Sequence, residues 1–136
     1  MSGLTDGFFE KLKADTKLKN FNIKMQREGQ KLNYPIQKPL VVIGSEHSQN
    51  VTFLLGNDDF EVIGEVMTVI VAVDEQQGGT YCEECAKLVC TQLLRADEDR
   101  RITSVSADKC AYDKNSFAYR LVMHFALREY AESGGE

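Results

Sequence analysis

The sequence predicts an α+β fold, with a mainly antiparallel or mixed sheet and two helices packed against it. Three observations predict it. Leu4, Phe8 and Leu12 recur at four-residue spacing with Phe9 alongside, which puts one apolar face on a helix. Val62 to Val73 is rich in β-branched residues and apolar on both faces, the signature of a strand inside a sheet. Cys82, Cys85, Ala86, Val89 and Leu93 again fall on one helical face, and two strand-like runs follow them. Helix, several strands, helix, two strands is the order of helices laid on a sheet.

The first helix is expected to run about four turns and to end near Asn20. Phe21, Ile23 and Met25 alternate with Asn22, Lys24 and Gln26, so a strand with one buried face follows. Arg27 to Lys38 reads as a loop, because Pro35 and Pro39 donate no ladder hydrogen bond. Leu40 to Ile43 and Val51 to Leu55 are short strands, and Asn57, Asp58 and Asp59 form a turn. Val62 to Val73 is placed mid-sheet, with Met67, Val69 and Val71 on one face and Val66, Ile70 and Ala72 on the other. Gln76 to Gly79 breaks the chain, and Thr80 with Glu83 offers a capping box for a helix ending near Arg95. Ile102 to Tyr112 and Phe117 to Arg128 read as a hairpin joined around Asp113 to Ser116. In the last strand Phe117, Tyr119, Leu121, Met123, Phe125 and Leu127 share the core face, opposite Arg120, Val122, His124 and Arg128.

A chain of 136 residues fits one core better than two, so residues 1–136 are read as a single domain with a tail, 131–136, expected to fray. Hydrophobic residues at 43% and charged residues at 27% are ordinary for a globular domain, and two prolines and ten glycines leave no room for a long low-complexity stretch. The opening residues have no continuous apolar segment of a signal peptide, and no apolar run approaches the roughly 18 residues a bilayer needs. No membrane association is expected. Four cysteines without an export signal are read as reduced thiols. A net charge of −5 disfavours a nucleic-acid partner, and the basic group Lys11, Lys13, Lys17, Lys19, Lys24 and Arg27 begins where it complements a helix C-terminus.

No catalytic residue, cofactor or metal is expected. Cys82-Glu83-Glu84-Cys85 has dithiol spacing at a helix start, where backbone amides favour a thiolate. Its two glutamates oppose negative charge on sulfur, and both cysteines lie on the apolar face. The same pair with Cys90 and Cys110, or with His47 and His124, would complete four zinc ligands, but these are scattered over separate elements. His47 and His124 have no nucleophile and carboxylate at a recognisable spacing. Asn57 to Glu61 lacks the ligand order of a calcium loop, and Gly78-Gly79 lacks the Lys-Ser or Lys-Thr of a phosphate loop.

From Val62 to Tyr130 the chain combines a long apolar strand, the break GGTYCEEC opening a helix, and ITSVSADKCAYDKNSFAYRLVMHFALREY, two strands joined around a Tyr-Asp turn. This resembles the tail terminator proteins of long-tailed phages and contractile phage-tail-like bacteriocins. The resemblance implies a small α+β structural protein, not an enzyme, that caps the tail tube as a ring, typically a hexamer, and ends its polymerisation. Its implied partners are further copies of itself, the tail tube protein, and the sheath, collar or head connector. Its implied location is the host bacterial cytoplasm during assembly, then the tail of the particle. A head-tail joining or tail completion protein has similar size and composition. From a different class, a thiol or zinc module on Cys82 and Cys85 remains the alternative.

A ring-former presents two different patches that dock head to tail. The candidate patches are the acidic group Asp58, Asp59 and Glu61 and the basic group Arg95, Arg100 and Arg101. Charge reversal at Asp58 and Asp59 is expected to weaken assembly measured by native mass, and unchanged ring formation would remove this pairing.

Overall fold

The computed structural model describes residues 4–26, 36–47, 51–53 and 60–129. Helix α1, Leu4–Ala14, buries Phe8 and Leu12 and half-buries Leu4 and Phe9, the face set by their spacing. It is shorter than the expected four turns. Asp15 turns extended (φ −75°, ψ 122°) and its carboxylate accepts the Lys17 N–H, starting a separate 3₁₀ turn, Thr16–Leu18. An aspartate that bonds its own downstream backbone competes with the helix, which is why the helix stops there.

Strand β1, Asn22–Met25, pairs in parallel with β2, Leu40–His47. Strand β3, Val51–Phe53, and β2 both lie antiparallel against β4, Phe60–Asp74. A 3₁₀ turn, Glu75–Gln77, leads into α2, Gly79–Ala96. Strands β5, Ile102–Ala107, and β6, Ala111–Asp113, both pair antiparallel with β7, Ala118–Glu129. Among the described residues the sheet has seven strands and runs β1-β2-β4-β7-β5, with β3 on β4 and β6 on β7. The α+β class and the central place of the Val62–Val73 strand follow the sequence pattern. Residues 27–35, the Asn57-Asp58-Asp59 turn and the tail lie outside the described residues.

Register decides what the two faces carry. Val41 lies opposite Val71, and Val71 opposite Leu121; Ile43 faces Val69, and Val69 faces Met123. Strand side chains alternate, so Val41 and Ile43 of β2, the odd-numbered residues from Glu65 to Val73 of β4 and those from Tyr119 to Leu127 of β7 point to one face. Both helices cover that face, with Phe8, Leu12, Cys82, Cys85, Val89 and Leu93 meeting Met67, Val69, Phe125 and Leu127. Each fully buried large side chain here contributes about 1.5–3 kcal/mol. The opposite face is thinner: Ile36, Leu40, Val42, Ala72 and Ala118 form a small second cluster. Val66, Thr68, Ile70, Val122, His124 and Ala126 on it are half-buried.

Four expectations are corrected. The Thr80–Glu83 capping box does not form, because the helix starts earlier, after Gly78 at φ 88°, and the N-cap makes no side-chain bond. A residue at that φ is best a glycine, and it puts Thr80 inside the first turn. The Ile102–Tyr112 run is two strands, not one, because the chain leaves the β7 ladder between Ala107 and Ala111. Phe117 is not a core residue: it sits in the turn at φ 53° and is 58% exposed. Leu40–Ile43 extends through His47, pairing with β4 along its whole length.

One polar residue on the core face was not anticipated. Glu65 is 6% exposed, and its carboxylate accepts the Leu4 N–H at 2.6 Å, the Thr5 N–H at 3.2 Å and the Thr5 hydroxyl at 2.6 Å. The first amides of a helix have no partner within it, so a strand carboxylate supplies the cap and meets the positive end of the helix dipole. The β4–β7 register shifts between Ile63 and Glu65, leaving Gly64 as the extra residue. Glu65→Ala is expected to cost about 1–3 kcal/mol of stability in urea unfolding. Glu65→Gln, which keeps an acceptor, should lose less; equal losses would show that the cap depends entirely on the carboxylate's charge.

Candidate functional site

The acidic and basic groups singled out in the sequence are placed unequally. Asp58 and Asp59 lie outside the described residues. Glu61 is on β4, opposite Thr52 of β3 in register. Arg95 is exposed in the last turn of α2, where a cation complements the helix dipole. Arg100 and Arg101 are drawn into a backbone knot around Asp97. The Asp97 carboxylate accepts the Arg101 N–H at 2.7 Å and the Ile102 N–H at 2.8 Å. Arg128 Nε donates to the Arg100 carbonyl at 2.9 Å, and Arg101 Nη1 donates to the Arg128 carbonyl at 3.4 Å. Arg100 takes the left-handed conformation, φ 55°, to make this turn. The structure therefore joins Arg100 and Arg101 to each other and to Arg128, which pairs with Ile63 near the Glu61 end of β4.

A recess of about 180 Å³ opens between α1 and the loop after α2, lined by Leu4, Phe8, Lys11, Asp97, Glu98 and Arg101 among others. Lys11 bridges it, donating to the Ala96 carbonyl at 2.9 Å and lying 3.5 Å from Glu98. This volume falls below the roughly 300–1,000 Å³ of ordinary small-molecule sites, so the recess reads as a seam between elements. A second polar tie joins the same elements, where Gln92 Nε2 donates to Asp15 at 2.6 Å.

The cysteines form a more distinctive arrangement than their spacing suggested. Cys82 and Cys85 are buried on the core face of α2, and Cys90 and Cys110 are half-buried. The Cys82 thiol reaches the Val71 and Tyr119 carbonyls, each at 3.5 Å. Cys110 on the sheet edge, as well as Cys85 on the same helix, lies near enough to act on it electrostatically. Cys85 contacts the Tyr81 hydroxyl. Burial, with the Cys110, Cys85 and Glu83 charges adding to it, pushes the Cys82 thiol up to about 12. Burial raises Cys85 and Cys90 as well. These are the surroundings of protonated thiols, opposite to those of a reactive thiolate at a helix start. Among the described residues no group of three or more His, Cys, Asp or Glu side chains is placed to hold a metal ion, and no helix is long and apolar enough to cross a membrane.

The edge of the sheet carries the other notable feature. Among the described residues β5 pairs only with β7, so its outer edge presents unpaired backbone groups. Thr103 to Ala107 are all exposed, and Val105, opposite Phe125 on the helix-covered face, is still 38% exposed. The helix layer thus stops short of β5. Its sequence, ITSVSA, contains no charge and no proline, the usual devices that keep an edge from pairing. The sequence reading missed this, because a run of β-formers does not say which strand is outermost.

Because Cys82 holds its proton in the folded state more tightly than when exposed, folding stability is full below about pH 9. It falls as pH rises toward 12, where the unfolded chain binds fewer protons than the native one. Urea midpoints measured from pH 7 to 11 are expected to drop above pH 9, and Cys82→Ala should flatten that drop; an unchanged slope in the variant would assign it to other groups.

No family model matches the chain, and no curated protein matches it.

Proposed function

We propose that this chain is a structural assembly protein that caps a tail tube as a ring of its own copies, ending tube growth and offering a surface to a head connector or collar. The reading is supported by the resemblance of residues 62–130 to tail terminators and by one structural observation, the uncharged β5 edge. A strand with high β-propensity, exposed on both faces from Thr103 to Ala107 and with no partner at its outer edge among the described residues, is a surface suited to a neighbouring chain. Val105, Tyr112 and Phe117, on or beside the β5–β6 edge, add exposed apolar area. A head-to-tail ring uses two unlike patches on each copy. The β5 edge is assigned as one, and the second lies elsewhere on the subunit.

On this reading the protein works by shape and turns over no substrate. Light scattering across a concentration range is expected to give a ring of about six subunits forming at higher concentration. Val105→Lys, which places a charge on an already exposed edge position, should weaken association by at least about tenfold while leaving the circular dichroism spectrum unchanged. A wild-type protein that stays monomeric alone and in the presence of tube protein would overturn the proposal.

A further inference from the structure

The break between β5 and β6 has a specific content. Asp108 N–H still bonds the Val122 carbonyl, but the ladder resumes only at Ala111 opposite Arg120. In the interval Cys110, half-buried between exposed Lys109 and Ala111, packs against the core. It lies on the first turn of α2: a side-chain carbon built on Gly79 would sit 3.6 Å from the Cys110 sulfur and 3.4 Å from the Tyr119 ring. Three residues further along the helix, the Cys82 sulfur lies 3.5 Å from the Tyr119 carbonyl, and Cys110 packs against the same core cluster as Cys82. Two pieces of geometry, the approach of Cys110 to the helix start at Gly79 and the approach of Cys82 to Tyr119, therefore place a sulfur on the sheet edge and a sulfur on the helix in one neighbourhood, and the Cys110 charge accordingly raises the pKa of the Cys82 thiol.

We infer that Cys82 and Cys110 are a disulfide-forming pair, closed by exchange with a low-molecular-weight disulfide such as oxidised glutathione. Entry is at Cys110, because its thiol is partly accessible and Cys82 is 0% exposed. The deprotonated Cys110 sulfur attacks one sulfur of the small disulfide, forming a mixed disulfide and expelling one small thiol. Cys82 then gives up its proton and attacks the Cys110 sulfur, breaking the mixed disulfide and expelling the second small thiol. Two protein thiols are oxidised to one disulfide, and one small disulfide is reduced to two thiols. Cys85, engaged with Tyr81, and Cys90, elsewhere on α2, take no part. The closed bond staples the start of α2 to the break in the edge strand. The inference rests on the placement of both sulfurs around Tyr119 and the start of α2 and is independent of the assembly reading.

The full chain is incubated natively with oxidised glutathione, free thiols are blocked with N-ethylmaleimide, and the digest is mapped by mass spectrometry. The expected product is one intrachain link between the peptides of Cys82 and Cys110, with Cys85 and Cys90 alkylated and the link reversed by dithiothreitol. Its thermal midpoint should rise by roughly 5 °C or more over the reduced form, since the bond restrains the unfolded chain. Cys85→Ser should still form the link, and Cys110→Ser should not. A Cys82–Cys85 link, a persistent glutathione adduct on Cys110, a dimer joined through Cys110, or four alkylated cysteines in the wild type would each overturn the inference; wild-type mapping decides it whether or not the variants fold.

Discussion

The pairing of β4 with β7 is the constraint on which the rest of the molecule depends. It runs from Val62 opposite Glu129 to Asp74 opposite Ala118. Because strand side chains alternate, this one register places Met67, Val69, Val71 and Val73 on the same face as Leu121, Met123, Phe125 and Leu127. A slip of one residue would turn the inner row of one strand toward solvent, so register and core are the same statement. Both helices then have a single apolar surface to cover, and β2 extends it with Val41 and Ile43.

Polar groups are used mainly to hold the helices in place over that surface. Glu65 caps α1 from a strand, Gln92 of α2 reaches Asp15 after α1, and Lys11 of α1 reaches the last carbonyl of α2. Asp97 organises the turn into β5 by accepting two successive backbone amides. The Glu65, Gln92 and Lys11 ties join elements distant in sequence, so they form only once the sheet is built, whereas the Asp97 turn is local. The layer they secure is narrower than the sheet. That mismatch leaves Val105 of β5 exposed beyond the helix cover, and the place of β5 at the end of the strand order leaves its outer edge without a partner among the described residues.

Much of this was legible in advance. The buried faces of α1 and α2 follow their 3.6-residue spacing, and Cys82, Cys85, Ala86, Val89 and Leu93 are all buried as the pattern required. The alternation in β7 correctly separated Leu121, Met123, Phe125 and Leu127 from the half-wet Val122, His124 and Arg128. Phe117 was misread because alternation extends past the end of a strand without marking where the chain turns. Glu65 went unnoticed, and Cys110 was weighed only as a zinc ligand, for a common reason: each matters through a partner far away in sequence, Leu4 and Thr5 in one case and Cys82 in the other. Cysteine spacing pointed to Cys85, whereas folding brought Cys110.

The sequence by itself determined the layers: two amphipathic helices, a central apolar strand, a final strand with one dry face, and therefore an α+β fold. These are local properties, carried by periods of about 3.6 and 2 residues that any window of the chain displays. Tertiary structure alone decided the strand order, the parallel β1–β2 pair, the division of β5 from β6, the capping of α1 by Glu65 and the meeting of Cys82 with Cys110. All of these depend on which distant segments pair and in what register, and that choice is settled by burying one continuous apolar face, a global condition that no local pattern encodes.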